Sequence, residues 1–427
     1  MQFIKTLAIA SGVLATAALA APSTESISGM EARLFGGSGS SSGGVVQPGL
    51  PSKDAFYKPS GSWQSKANGA ILNSRQVKPG SSAAKTAYQI LYKTTDAVNN
   101  PDSTVVTILV PKTPKSPPQI VGIQLPEDSV SIDCAPSATL ASGTNSPNAL
   151  GGAFTNQGVD GSLNNGYYVV IPDHEGSKAL AFVGPMEGHA VLDGLKAVTS
   201  FPTGIPGVSS STPIAIGGYS GGAHATAWAA QLAPSYAPSL NIKGQVIGGT
   251  PVNLTSVLLY LNKGTYAGFA AVGVAGEYLA YSDLHSYIDQ YIYPNGTALF
   301  KKLQNNQCLA SVAFLGGYGG KDLFSYFKKA NPLDDPVPQK RLAQNLLGGD
   351  GKALKIPTIM YHGTKDDIIP YQDAVDYAKA QCSKGAKVHF ISDAGNTHIN
   401  EELARGNDLT KWLDQTLQGT ADFSCNL

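Results

Sequence analysis

Residues 213–230 constrain this chain more than any other stretch. The apolar run Pro213-Ile214-Ala215-Ile216 leads into Gly217-Gly218-Tyr219-Ser220-Gly221-Gly222, and the segment Ala223-His224-Ala225-Thr226-Ala227-Trp228-Ala229-Ala230 follows. A short apolar run ending at glycines reads as a buried strand, while an alanine-dominated run has high helix propensity. Gly218-x-Ser220-x-Gly222 between them is the pattern of a nucleophile elbow. In such a tight strand-to-helix turn the positions flanking the serine tolerate almost no side chain. The motif alone also fits an ordinary glycine loop, so the reading depends on a base and an acid for the serine.

The surrounding text repeats the same rhythm. Residues 86–92 and 104–111 are rich in β-branched and aromatic residues and flank Asn99-Asn100-Pro101-Asp102, which predicts an antiparallel hairpin. Strands are expected at 119–125, 167–172 and 244–248, with a helix at 188–200. Residues 249–346 lose the strand pattern and read as a helical insertion. The rhythm returns with strands at 357–361 and 388–391 and helices at 372–380 and 409–417. Alternation of buried strands and helices predicts an α/β fold with a largely parallel central sheet and helices on both faces.

Residues 1–20 carry Lys5, an apolar run and Ala18-Leu19-Ala20, the marks of a secretory signal peptide. Residues 21–60, with the run Gly36-Gly37-Ser38-Gly39-Ser40-Ser41-Ser42-Gly43-Gly44, read as a flexible leader or propeptide that cannot bury apolar surface. The folded domain is expected over 61–427, with the cap insertion near 250–346. A secreted chain has its four cysteines, Cys134, Cys308, Cys382 and Cys425, available for two disulfides, and four cysteines allow three pairings. Asn253-Leu254-Thr255 and Asn295-Gly296-Thr297 are glycosylation acceptors on that route. Charged residues make up 14% of the chain, with Lys+Arg and Asp+Glu both at 30, so no basic excess exists to hold nucleic acid. No later apolar run reaches the roughly 18 to 20 residues of a membrane span, and no metal-ligand spacing or cofactor motif is present. A monomer acting on a neutral or apolar substrate is the expectation.

Two loops supply partners for Ser220. After the strand at 357–361 comes His362-Gly363-Thr364-Lys365-Asp366-Asp367, and after the strand at 388–391 comes Gly395-Asn396-Thr397-His398. Both leave the carboxyl edge of the sheet, where open α/β sheets bind ligands, and the chain order serine, acid, histidine is that of an α/β-hydrolase. Asp366 and His398 are therefore the candidate acid and base, with Asp367 the rival acid. The other six of the seven histidines, His362 and His224 included, are read as packing or surface residues.

In its sequence the chain resembles the fungal secretory lipases, the group of α/β-hydrolases typified by Candida antarctica lipase A. The matching text includes Ala87-Tyr88-Gln89-Ile90-Leu91-Tyr92, Glu127-Asp128-Ser129, Asp133-Cys134-Ala135-Pro136, Pro172-Asp173-His174-Glu175-Gly176, the elbow, Ala267-Gly268-Phe269-Ala270 and Thr397-His398. The resemblance implies Ser220 as nucleophile, Asp366 as acid and His398 as base, with a protonated Asp128 and the amide of Gly221 forming the oxyanion hole. Neighbouring loops in that fold imply the pairs Cys134–Cys308 and Cys382–Cys425. His174 departs from the family pattern, where an aromatic is expected at the site edge. The implied activity is acylglycerol hydrolysis, with a lipid–water interface as a further candidate partner. A short-chain or aromatic esterase, an acyltransferase and a non-catalytic hydrolase-like binding protein are the alternatives. Within 258–281, Gly264, Gly268, Phe269 and Val272 are candidates for an acyl channel; a glycine-rich helix that merely packs closely is the competing reading.

Overall fold

The computed structural model describes residues 44–148 and 158–427. The expected signal peptide and the leader up to residue 43 lie outside the described residues. One mixed sheet organises the rest. In chain order its strands are β1 (Ile71–Val77), β2 (Ala84–Thr95), β3 (Pro101–Pro111), β4 (Ile120–Gln124), β5 (Tyr168–Pro172), β6 (Ile214–Tyr219), β7 (Ile242–Gly248), β8 (Thr358–Gly363) and β9 (Val388–Asp393). Their spatial order is β1-β2-β3-β5-β4-β6-β7-β8-β9. The first three run antiparallel to their neighbours, and from β5 onward every pairing is parallel. This is the expected α/β-hydrolase architecture.

Strand side chains alternate between two cores, because successive residues of a strand point to opposite faces. Ile214 and Ile216 of β6 join the core formed with α1 (Gly184–Thr199), α2 (Gly221–Tyr236) and α3 (Tyr371–Ser383), whereas Ala215 faces α4 (His398–Gln418). Residues 254–344 form a helical cap with a separate apolar cluster that also takes in Val130, Met186, Ile368 and Ile369 from loops above the sheet. That cap contains α5 (Leu254–Leu261), α6 (Ala267–Ala280), α7 (Ser282–Tyr291), α8 (Pro294–Leu303) and α9 (Pro336–Gln344). Among the described residues no helix is long and apolar enough to cross a membrane.

Three boundaries differ from expectation. The folded body starts before residue 61: Val46 bridges to Val77, Ser52 hydrogen-bonds both carboxylate oxygens of Asp133, and Arg75 pairs with Asp54 at 2.6 Å. Phe56 is buried there with Leu91 and Val105. Glycine and serine content describes residues 36–44, but not the aromatic and charged text that follows. Strand β1 is additional, its polar Asn73-Ser74-Arg75-Gln76 reflecting an edge position covered on one side only. The last helix begins at His398 rather than near 409, since Asn400-Glu401-Glu402 carries no apolar periodicity to announce it.

Candidate active site

The turn after β6 explains its glycines. Ser220 has φ 53° and ψ −124°, a conformation that costs a non-glycine residue on the order of 1–3 kcal/mol and is held by the elements around it. A Cβ at Gly218 would lie 2.6 Å from the backbone carbon of Gly222, and one at Gly222 would lie 1.9 Å from the carbonyl oxygen of Gln124. Only glycine lets the turn close against β4. Ser220 is thereby raised at the carboxyl end of the sheet, at the start of α2.

His398 Nε2 lies 2.9 Å from Ser220 Oγ, and its Nδ1 lies 2.7 Å from Asp366 Oδ2. The other carboxylate oxygen, Oδ1, accepts from the amides of Ile368 and Ile369 at 2.9 and 2.7 Å. Burial opposes ionisation of Asp366, but His398 and His362 outweigh it and hold the carboxyl well below the usual carboxylate range. Burial likewise disfavours a charged His398, yet the facing Asp366 carboxylate leaves the imidazole raised above its ordinary value. Asp367 instead accepts from the backbone amide of His398 at 3.3 Å. Tyr219 Oη donates to the His398 carbonyl at 2.7 Å and Tyr260, from the cap, donates to that of Asp366 at 2.9 Å, so both loops are tied down.

Asp128 lies directly against Gly221, the residue after Ser220. Asp128 has φ 46°, and its Oδ1 lies 2.0 Å from where a Gly221 Cβ would stand. Burial, then the charge of Glu187, pushes the Asp128 carboxyl up to about 7, with His398 acting in the opposite direction. Glu127, Asp173 and Glu175 lie buried nearby, and burial raises each of them too. His174 is 1% exposed, so it is buried rather than part of an exposed rim. His224, also buried, meets Glu187 Oε2 through Nδ1 at 2.8 Å and accepts from Trp228 Nε1 at 3.2 Å, which ties α2 to α1.

His362 is the residue that sequence reasoning missed. Its Nε2 lies 2.9 Å from Asp366 Oδ2. The signal was available: a histidine at the end of a strand, four residues before Asp366.

A cavity runs from Ser220 and Asp128 into the cap. Its walls are almost wholly apolar, with Leu258, Ile288, Phe300 and Ile368 among them. Phe269, Ala270, Ala271, Gly273, Val274 and Glu277 of α6 line it, one side of the helix. The expected channel residues Gly264, Gly268 and Val272 are not in that lining, and Phe269 alone of the four is. A Cβ at Gly268 would lie 2.1 Å from the Val312 carbonyl oxygen, and one at Gly276 2.2 Å from that of Ala181. Positions 268, 272 and 276 thus form the opposite, close-packed face of α6, and Gly264 belongs to the turn before it, where Gly320 donates to its carbonyl.

Two disulfides, Cys134–Cys308 and Cys382–Cys425, have Cα separations of 5.4 and 5.9 Å. The first joins the segment after Asp128 to the cap, and the second joins α3 to the C-terminal segment. Asn295 is exposed, while Asn253 is half-buried and its Oδ1 caps α5 by accepting from Thr255 and Ser256.

Over residues 155–424 the chain matches the family described as secretory lipase. It is 35% identical over 379 residues to "Lipase A" of Moesziomyces aphidis, spanning 87% of this chain and 81% of that protein. It is 36% identical over 385 residues to the "Secreted triacylglycerol lipase LIP3" of Malassezia restricta, with the same coverage of 87% and 81%. Among solved structures, Candida antarctica lipase A superposes with a TM-score of 0.83 at 35% identity, covering 87% of both chains.

Proposed function

Since this chain belongs to the secretory lipase family and is an ester hydrolase, we propose that it hydrolyses acylglycerols through Ser220, His398 and Asp366. The observation that carries the reading is the continuous path from Ser220 Oγ through His398 to Asp366, opening onto an apolar cavity. Ser220 Oγ attacks the ester carbonyl while His398 Nε2 takes its proton. Asp366 keeps the imidazole in the Nδ1–H tautomer and balances the imidazolium that forms. The negative oxygen of the tetrahedral intermediate accepts from the Gly221 amide and from a protonated Asp128. Collapse expels the alcohol, to which His398 returns the proton, and leaves an acyl chain on Ser220. Water, deprotonated by His398, then attacks the acyl-enzyme, and collapse of this second intermediate frees the carboxylic acid while His398 returns the proton to Ser220 Oγ. Each acyl methylene buried in the cavity contributes roughly 0.8 kcal/mol, which favours long chains over butyrate.

Initial rates on p-nitrophenyl esters of increasing length, set against an emulsified triglyceride, test the substrate. Rates that rise with chain length and extend to the emulsion are expected, and hydrolysis confined to acetate and butyrate would make the protein a short-chain esterase. A phosphonate ester should label Ser220 alone, and Ser220→Ala should lower kcat by roughly six orders of magnitude. Labelling at another residue would overturn the assignment.

A further inference from the structure

Glu277 is an anomaly in the cavity. It lies on the lining stripe of α6, one turn beyond Gly273 and Val274, among walls that are otherwise nearly all hydrocarbon. The residue is 5% exposed. Its Oε1 accepts from Asn345 Nδ2 at 2.7 Å, and Asn345 Oδ1 in turn accepts from the Gly184 amide at 2.8 Å, so the amide orientation and the accepting oxygen are both fixed. Oε2 has no partner within the described protein. The nearby cation is engaged elsewhere: Arg341 donates through Nε and Nη2 to the two oxygens of Asp283, at 2.9 and 2.6 Å. Burial therefore dominates, and it pushes the Glu277 carboxyl well above its ordinary range despite Arg341. A neutral carboxyl whose carbonyl oxygen is taken by Asn345 presents its remaining oxygen as an O–H donor. A buried donor without an acceptor costs about 1–3 kcal/mol, so a plain hydrocarbon chain packed over it leaves that cost in place.

We propose that Glu277 is a specificity-determining residue, and that the cavity selects acyl chains carrying an oxygen substituent along their length, such as hydroxy fatty acyl esters. This deepens the reading of Ser220 as the nucleophile and rests on it. The substituent's oxygen accepts from Glu277 while the hydrocarbon on either side fills the apolar walls. A site built around a buried polar group discriminates against an analogue lacking the matching atom far more strongly than an apolar pocket discriminates by size.

The test is kcat/KM of the full-length secreted protein on p-nitrophenyl octadecanoate and a set of hydroxyoctadecanoates differing in hydroxyl position. Wild type should favour the hydroxylated ester by roughly tenfold at one or two adjacent positions and disfavour it at the others, where the hydroxyl meets hydrocarbon. Glu277→Leu should abolish that maximum, while Glu277→Gln, whose amide NH2 can still donate, should keep part of it. A plain ester preferred at every position in wild type, or a maximum unchanged in Glu277→Leu, overturns the proposal while leaving the hydrolase reading intact. No hydrolysis of any of these esters would remove the parent reading and this inference with it. If Glu277→Leu does not fold, the wild-type positional scan decides alone.

Discussion

His362 Nε2 lies 2.9 Å from Asp366 Oδ2, the same oxygen that His398 Nδ1 meets at 2.7 Å. With Oδ1 held by the Ile368 and Ile369 amides, this leaves the carboxylate one orientation, in which it faces His398. His362 is fully buried at the end of β8 and touches the acid rather than the substrate, so its part is positioning.

His362→Phe should therefore lower kcat about 10- to 100-fold with little change in KM, because acid geometry matters in the transition state more than in binding. His362→Gln, whose amide nitrogen can donate from a similar place, should recover much of the loss. Steady-state kinetics on a soluble ester decide it. Equal effects of both substitutions on KM and kcat, or none, would reduce His362 to packing.

Rate should depend on pH through two groups acting in opposite senses. On the proposed mechanism His398 must be neutral to accept the serine proton, and its raised value places the acid limb above the range of an ordinary imidazole. Asp128 must keep its proton to donate, and its value of about 7 places an alkaline limb close by. A narrow bell in kcat/KM follows. Asp128→Asn cannot titrate but still donates, so the alkaline limb should disappear. The acid limb should stay near its wild-type position, because on that limb Asp128 is protonated and carries no charge to act on His398. An unchanged alkaline limb in that variant would exclude Asp128 from the titration.

How much of this was legible in the sequence follows from the range of each signal. Ser220, Asp366 and His398 sit in short glycine-marked loops at strand ends, where local pattern and chain order suffice. Strands β2 to β9 announce themselves because both faces of the sheet are covered and their residues are correspondingly apolar. Strand β1 does not, since at an edge Arg75 and Gln76 are as acceptable as valine. Gly268 was misread because a glycine that makes room for a ligand and one that makes room for the Val312 carbonyl look alike along the chain. Glu277 carried no signal along the chain, because its burial and its partner Asn345, 68 residues away, come from tertiary packing.

Stability should fall as pH rises through neutrality. Burial raises Asp128, Asp173 and Glu402 to about 7, whereas unfolding returns each to the ordinary carboxylate range near 4. Between those values the folded chain holds more protons than the unfolded one, so the stability slope with pH is negative. The contribution is fully present below the unfolded values and is lost as pH climbs through the folded ones. Tm measured by calorimetry at constant ionic strength should therefore be higher at pH 5 than at pH 8. A Tm that rises across that interval would mean these carboxyls are ionised in the native protein.

The two disulfides should differ in what they protect. They close loops with separations of 174 and 43 residues, which in the chain-entropy model correspond to roughly 5 and 4 kcal/mol, so removing either lowers Tm by comparable amounts. Activity is where they part. Cys134–Cys308 lies beside two further ties between the segment after Asp128 and the cap: Ser129 Oγ donates to the Gln307 carbonyl at 3.0 Å, and Ser131 Oγ to Asn306 Oδ1 at 3.2 Å. That cluster holds both the Asp128 loop and the end of the cap that roofs the cavity. Cys382–Cys425 joins α3 to the C-terminal segment beside Val388, at the start of β9 and so at the opposite edge of the sheet from Asp366 and His398. In the double-serine variants, assayed well below their Tm, loss of Cys134–Cys308 should cut kcat on a long ester about tenfold, a fraction of what losing one oxyanion donor costs. Loss of Cys382–Cys425 should leave kcat within about twofold. Equal kcat values for the two variants, with both folded, would show that the Asp128 loop holds its place without the covalent tie.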